Sequence, residues 1–308
     1  MTTASAFGIS FVIPCHDGGA LVAEAVDSLL RQPLSFPFEV IVVDDGSGEL
    51  LTLAAIDTVT ADPRVRVHRL RTRQGVQVAR TAGLKAARYG YVMPLDCDDL
   101  LATDPELLAG GSYPERAVRI LAGDPAVAFV HTYSQMFGDF EGLTISAYPC
   151  TEQLVVRKHH APMPLIYRTA DALAAGGYDS RIRKWQDWAF AISLLAARHR
   201  RGCGTEIRCI AGPFHRYRIH RRFQRISATS VSELEVVRLV VDRHLDYFQT
   251  VLGDPRPADE LAATVYAHKP DRLTDLLHMA AADLDQALTL AHQRRATLAS
   301  PADRLGIP

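Results

Sequence analysis

The chain has 308 residues, with 48% hydrophobic and 22% charged side chains and a formal net charge of −1. Such a length buries a sizeable core in one large or two small domains, and the near-neutral balance argues against the global field of a nucleic-acid binder. Five scattered cysteines without C-x-x-C spacing argue against a disulfide framework or a zinc site and fit a reducing compartment. No apolar run reaches the length that spans a bilayer. The opening MTTASAFG lacks the basic start and long apolar centre of a signal peptide, so a cytoplasmic protein is expected.

Residues 8–14 read as a buried strand stopped by Pro14, followed by the loop Cys15-His16-Asp17-Gly18-Gly19. Apolar residues at helical spacing mark a helix over 21–31. Residues 38–43 form a second strand, ending in Asp44-Asp45-Gly46-Ser47, and 50–60 a second helix. Residues 65–70 alternate like a strand nearer a sheet edge. A third helix over 77–88 feeds the apolar strand 91–95, which ends abruptly in Asp96-Cys97-Asp98-Asp99. Strands alternating with helices predict a mostly parallel sheet flanked by helices. Ligands of such sheets bind at the carboxyl ends of strands, where residues 14–18, 44–47 and 96–99 converge.

Three carboxylates at the end of a buried strand repel one another and raise at least one pKa. A hard divalent cation relieves that conflict; an acidic helix N-terminus is the alternative.

Further on, a helix is expected over 114–122, a strand over 127–131, an irregular strand or hairpin over 138–148 and a short helix over 170–175. An amphipathic helix runs over 185–198, with Trp188, Ile192 and Leu195 on one face. Between Arg181 and Arg225 stand twelve Lys/Arg against two acids, Asp187 and Glu206. A solvated face and a phosphate-facing surface both fit that excess. Residues 231–248 read as one helix, and a further helix follows around 273–291. This helical extension is expected to pack on the body, to pair with a second copy, or to lie at a membrane surface such as the inner membrane face.

Five motifs occur in order: Ile13-Pro14-Cys15-His16-Asp17; Val42-Val43-Asp44-Asp45-Gly46-Ser47; Gly75, Ala79-Arg80 and Gly83; Leu95-Asp96-Cys97-Asp98-Asp99; and Gly176-Gly177-Tyr178-Asp179 followed by Trp185-Gln186-Asp187-Trp188. Together they resemble the family 2 glycosyltransferases. The resemblance spans residues 8–225. It implies an α/β chain with the GT-A fold, a Rossmann-like, mostly parallel sheet flanked by helices. In that organisation residues 1–100 bind the nucleotide sugar, 101–230 form the acceptor half, and 231–308 are the helical extension. It further implies an inverting transfer from a nucleoside-diphosphate sugar, commonly UDP-linked, with Mg²⁺ or Mn²⁺ as cofactor.

The resemblance also assigns roles. Asp45, with Asp44 beside it, binds the nucleobase, a carboxylate being able to accept a ring imide N–H. Pro14, Cys15, His16 and Asp17 shape the base and ribose pocket. Arg80 lies near the phosphates or braces the acidic loop, with an ordinary helix-surface arginine as the alternative. Asp96 and Asp98, on either side of Cys97, form the D-x-D, with Asp98 on the metal, Asp96 on ribose or metal, and Asp99 supporting them. Asp187 is the base for the acceptor hydroxyl, its pKa raised by the acceptor-side residues Trp185 and Trp188, with Gln186 in place of the usual acid. Arg218, with Arg221 and Arg222, clamps the diphosphate, and His220 completes the metal sphere, with His215 as the substitute.

Local alternatives stay open: a turn and helix cap at Asp44-Asp45-Gly46-Ser47, and a helix N-cap at Asp187. Arg73 and Thr81 stand where the family commonly has Asn, and Asp17 where Asn is usual. His131, His159 and His160 have no counterpart. Two rival functions remain. A nucleotidyltransferase needs a basic Gly-rich first loop, which residues 15–19 lack. A non-catalytic nucleotide-sugar-binding protein does not need the Asp96, Asp98 and Asp187 set. The acceptor, whether glycan, lipid-linked, small molecule or peptide, is not readable from the sequence.

Overall fold

The computed structural model describes residues 6–139, 141–144, 149–158, 163–219, 231–268, 276–277, 280–281 and 283–298. The first half alternates as β1 (Ala6–Cys15), α1 (Leu21–Leu30), β2 (Phe38–Asp44), α2 (Leu50–Val59), β3 (Val65–Arg69), α3 (Val76–Ala86) and β4 (Tyr89–Pro94). These strands pair in parallel, in the order β3-β2-β1-β4. The strands are apolar on both sides because both faces of the sheet are covered. Along β2, Val40 and Val42 enter one core with α1 and α2, while Ile41 and Val43 enter a second core with α3. This is the two-residue period of a strand, with successive side chains on opposite faces. Gly83 lets α3 lie close on the sheet: a Cβ there would sit 2.3 Å from Val12 Cγ1.

The second half adds β5 (Leu100–Leu101), α4 (Pro105–Leu108), α5 (Tyr113–Gly123), β6 (Val127–Gly138), β7 (Gly142–Leu143), α6 (Glu152–Lys158), β8 (Ile166–Arg168), α7 (Thr169–Ala174), α8 (Gln186–Arg200) and β9 (Glu206–Ile219). Here the sheet changes character. β8 runs antiparallel to both β4 and β6, β6 pairs in parallel with β9, and β5 closes the edge antiparallel to β9. β9 was hidden in the sequence by its basic residues, which read as a solvated run. A strand with one polar face carries such residues without leaving the sheet.

The chain ends in α9 (Glu233–Arg243), α10 (Leu245–Leu252), α11 (Ala258–Ala267) and α12 (Leu284–Leu298). The single helix expected over 231–248 is two, broken at His244 (φ −128°, ψ 35°). Val237, Val241, Tyr247, Phe248, Leu261 and Val265 join the core shared by α3 and α8. Helix α8 is consequently buried nearly all round, with the sheet on one side and the C-terminal helices on the other, as its apolar content requires. Polar bonds fasten the extension too: Lys184 pairs with Glu233 (2.7 Å), Arg243 with Asp179 (2.5 Å), and the Tyr247 hydroxyl donates to Glu152 (2.6 Å). Among the described residues, no helix is long and apolar enough to cross a membrane.

Candidate active site

The loops beyond β1, β2 and β4 and the first turns of α3 and α8 meet in one connected set of polar contacts. Asp45 N–H donates to the Cys15 carbonyl (2.8 Å), and the His16 ring lies 3.0 Å from the Asp45 carbonyl. Asp17 adopts a left-handed conformation (φ 48°), which Asp and Asn tolerate better than most residues. Its Oδ1 accepts the Gly48 and Glu49 N–H groups at 2.9 Å each, and these bonds at the start of α2 hold its carboxyl below the usual range. Asp and Asn are thus interchangeable here in backbone terms.

Asp44 and Asp45 are both buried and both engaged. Asp44 takes the Ser47 N–H (2.9 Å) and Arg69 (3.0 Å). Asp45 takes the Gln74 and Gly75 N–H groups (2.7 Å each) at the start of α3. The pair therefore fixes the β2 turn and the approach to α3. Gly46 (φ 69°) is required there, because a Cβ would lie 2.7 Å from the Arg73 nitrogen.

Arg80 is the pivot. Its guanidinium is 1% exposed and donates to Asp96 Oδ1 (2.6 Å) and to Asp187 Oδ1 (2.5 Å). One cation from α3 so joins the end of β4 to the first turn of α8, the latter 107 residues along the chain from Arg80. Burial alone would make Arg80 easier to deprotonate; Asp187 and Asp96 outweigh it and keep the guanidinium charged. The Tyr178 ring lies beneath it at 5.2 Å. Asp187 is raised above the ordinary carboxyl value, chiefly by burial, while Arg80 pulls it back.

The acidic loop is held from the far edge of the sheet. Asp99 is buried and accepts the Arg218 N–H (2.8 Å) and contacts His215 Nε2 (3.1 Å). His215 Nδ1 lies 2.8 Å from the Ser134 hydroxyl, which donates to the Met163 carbonyl (2.8 Å). Burial pushes the Asp99 carboxyl up, and His215 opposes that push. Asp98 is pushed up to about 7 by burial, then by Asp99 and Asp96. The neighbouring Cys97 thiol holds Cys15 below the ordinary thiol value, and Cys15, together with burial, pushes Cys97 well above it.

Several sequence expectations require correction. Trp188 does not face an acceptor: it is 2% exposed, packs edge-on against Phe248 (6.4 Å), and donates its indole N–H to Val155 (2.8 Å). Its position on α8 turns it towards the core. The aromatics beside Asp187 and Arg80 are instead Tyr167 and Tyr178. Trp185 starts the helix in a left-handed conformation (φ 54°) beside Lys184, and Gln186 is buried. His215 does not stand in as a metal ligand, since both ring nitrogens are engaged. Arg218 is a brace rather than an open clamp. Its guanidinium bonds the Asp98 carbonyl (2.8 Å) and Glu24 (2.6 Å) and lies over Phe137. The basic run between 181 and 218 is largely paired with acids: Arg181 with Asp179, Arg198 and Arg201 with Asp171, Arg208 with Glu206, and Arg216 with Asp104. It is a set of structural ion pairs, not an open phosphate surface. His220, Arg221, Arg222, His159 and His160 lie outside the described residues. His131 is buried and accepts the Cys150 N–H (3.0 Å), a packing role.

Among the described residues there is no group of three or more His, Cys, Asp or Glu side chains arranged to hold a metal. The chemistry at Asp96 and Asp98 nonetheless fits a hard divalent ion. These are carboxylate oxygens, and after burial the neighbouring Asp99 and Asp96 charges add to the upward push on Asp98. Mg²⁺ characteristically takes one or two carboxylates and completes its sphere with water and substrate phosphates.

Residues 10–109 match the model for glycosyl transferase family 2. An uncharacterized glycosyltransferase of Haemophilus influenzae is 27% identical over 194 residues, covering 61% of this chain and 62% of that protein. The chain thus spans less than two thirds of the length of that relative, and 27% of a Bacillus subtilis glycosyltransferase, EpsJ, which is 36% identical over the matched part. Among solved structures, S. aureus TarS 1–349 in complex with UDP-GlcNAc aligns with a TM-score of 0.61 at 20% identity, covering 94% of this chain and 92% of that one. The mannosyltransferase PcManGT from Pyrobaculum calidifontis, in complex with GDP-Man and Mn²⁺, aligns at 0.54 and 16% identity, covering 99% and 86%. The architecture of this chain is the GT-A fold.

Proposed function

We propose, from the premise that residues 10–109 match glycosyl transferase family 2 within a GT-A fold, that this chain is an inverting, metal-dependent glycosyltransferase. Its donor is a nucleoside-diphosphate sugar, UDP-linked by preference, and its acceptor a hydroxyl group. The observation that carries this reading is the Arg80 guanidinium joining Asp96 and Asp187. Two carboxylates with different tasks are so held at one site, a donor-side acid and an acceptor-side base.

In this reading the loops at Pro14, Cys15, His16, Asp17, Asp44 and Asp45 form the nucleoside pocket. Asp45 shapes it by fixing the Gln74-Gly75 backbone. Asp96 and Asp98 would hold Mg²⁺ or Mn²⁺, which would supply positive charge where the diphosphate leaves. Asp187 accepts the proton of the acceptor hydroxyl as that oxygen attacks the anomeric carbon from the face opposite the leaving group. Burial makes Asp187 a better base than an exposed carboxylate, and Arg80 keeps it ionised and aimed. Inversion follows from a single in-line displacement, which needs one base and no nucleophilic side chain.

The test is a panel of UDP- and GDP-sugars with Mn²⁺, read by thermal shift and by release of nucleoside diphosphate. A donor at about a hundred times its Kd stabilises the fold by about 2.7 kcal/mol. Stabilisation by at least one donor, with nucleoside diphosphate as product, is expected. Pyrophosphate as product indicates the nucleotidyltransferase alternative. Donor binding without turnover across a broad acceptor set indicates a binding protein.

A further inference from the structure

Cys15 ends β1, and Cys97 lies in the turn three residues beyond the end of β4, the strand that pairs in parallel with β1. β1 and β4 pair through Val12 and Pro94, and the Leu95 N–H donates to the Val12 carbonyl (2.9 Å). Three residues further along each chain lie Cys15 and Cys97. At the last paired position, Val12 with Pro94, the strands are about 4.8 Å apart, and the two chains leave the sheet side by side. Gly18 supplies an independent measure. A Cβ there would lie 3.1 Å from Cys97 Sγ and 3.3 Å from Cys15 Sγ, so both sulfurs border the same small space. The other cysteines are engaged elsewhere: Cys150 with the Thr151 carbonyl, Cys203 with the Arg201 carbonyl, and Cys209 packed against the cluster of Tyr133.

We infer that Cys15 and Cys97 form a reversible disulfide that closes the nucleotide pocket under oxidation. The co-reactant is hydrogen peroxide. One thiolate attacks a peroxide oxygen, the O–O bond breaks, and the departing hydroxide takes a proton to become water. The sulfenic acid so formed is attacked by the second sulfur. Its S–O bond breaks, and the hydroxide leaves as water with the second thiol's proton. Two thiols lose two electrons and two protons; one peroxide becomes two waters.

The bond draws the sulfurs to about 2.05 Å. It thereby ties the loop of His16 and Asp17 to the acidic loop between Asp96 and Asp98. Both loops border the space a nucleoside diphosphate needs in the function proposed above. The disulfide itself stands on the two sulfurs alone, whereas its effect on nucleotide rests on that function. The two are therefore read separately.

The full chain is treated with hydrogen peroxide, alkylated, and digested with trypsin without reductant. Peptides 1–31 and 89–116, which carry Cys15 and Cys97, should appear joined, about 2 Da lighter than the reduced pair. UDP affinity with Mn²⁺, measured by calorimetry, should fall at least about tenfold and return with dithiothreitol. In Cys15→Ser, peroxide should produce no such fall. Oxidation of Cys203 or Cys209 while Cys15 and Cys97 stay reduced overturns the disulfide. A joined pair with unchanged UDP affinity overturns the closure of the pocket. If the reduced protein binds no nucleotide, the glycosyltransferase reading and the closure both fall, and the cross-link alone decides the disulfide.

Discussion

Replacing Arg80 by Met removes the cation while keeping an unbranched side chain of similar reach. The guanidinium is 1% exposed, whereas Asp187 and Asp96 are 27% and 42% exposed. Breaking a fully buried pair from one side costs about 3–5 kcal/mol. Both acids here reach solvent, so the Coulombic part is screened and a smaller loss is expected, about 2–3 kcal/mol. In urea unfolding the midpoint should fall accordingly, and Tm by roughly 2–4 °C for each kcal/mol. The same change removes the influence that opposes burial at Asp187. Its pKa should then rise, so the acid limb of the kcat profile should move to higher pH. Adding Asp187→Asn should restore part of the stability, because the stranded carboxylate is gone; the double-mutant cycle isolates that coupling. An unchanged urea midpoint and an unmoved acid limb in Arg80→Met would refute the bridging role.

Asp98→Ala should abolish the Mn²⁺ dependence of donor affinity in calorimetry; retained Mn²⁺ dependence would remove Asp98 from the metal site. His244 is buried, its Nε2 lies 3.0 Å from Ser193 Oγ, and burial, aided by Arg243 and Arg200, holds its pKa down from 6.5 to about 4. Its neutral form therefore contributes fully above pH 6.5, and that contribution is lost as pH falls towards 4. The loss amounts to about 3 kcal/mol at most, at about 1.4 kcal/mol per unit. Urea midpoints measured between pH 7 and 4.5 should show that decline, and His244→Leu should flatten it; a decline identical in both proteins would assign it to other groups. Trp188→Phe should destabilise by about 1–3 kcal/mol, by leaving the Val155 carbonyl unpaired. Its KM for acceptor should stay unchanged, whereas a raised KM with normal stability would return Trp188 to the acceptor side.

The parallel half of the fold was legible because its strands are buried on both faces and bounded by glycine and acidic turns. The strand-end positions of Pro14, Asp44 and Asp96 followed from that pattern alone. The sheet beyond β4 was harder to read. β8 has only three residues, and β9 carries Arg216 and Arg218, whose acidic partners Asp104 and Glu24 lie far away in sequence. Charge partners are set by tertiary contact, so a local count of basic residues suggests a phosphate surface where the fold has ion pairs. The break at His244 escaped because apolar spacing continues across it while the backbone does not. At the site, the identity of the acids was legible, but their attachments were not. Nothing in the spacing of Arg80 distinguishes a helix-surface arginine from one that bridges Asp96 and Asp187. The chain from Asp99 through His215 to Ser134 likewise joins three distant segments.

Donor turnover by Asp187→Asn, measured beside donor affinity in the same preparation, tests the proposed chemistry most directly. Removing a general base costs about 10²–10⁴ in rate. Nucleoside diphosphate release should fall by at least about a hundredfold while donor Kd with Mn²⁺ changes little. Turnover at the native rate would contradict the assignment of Asp187 as the base that takes the acceptor's proton.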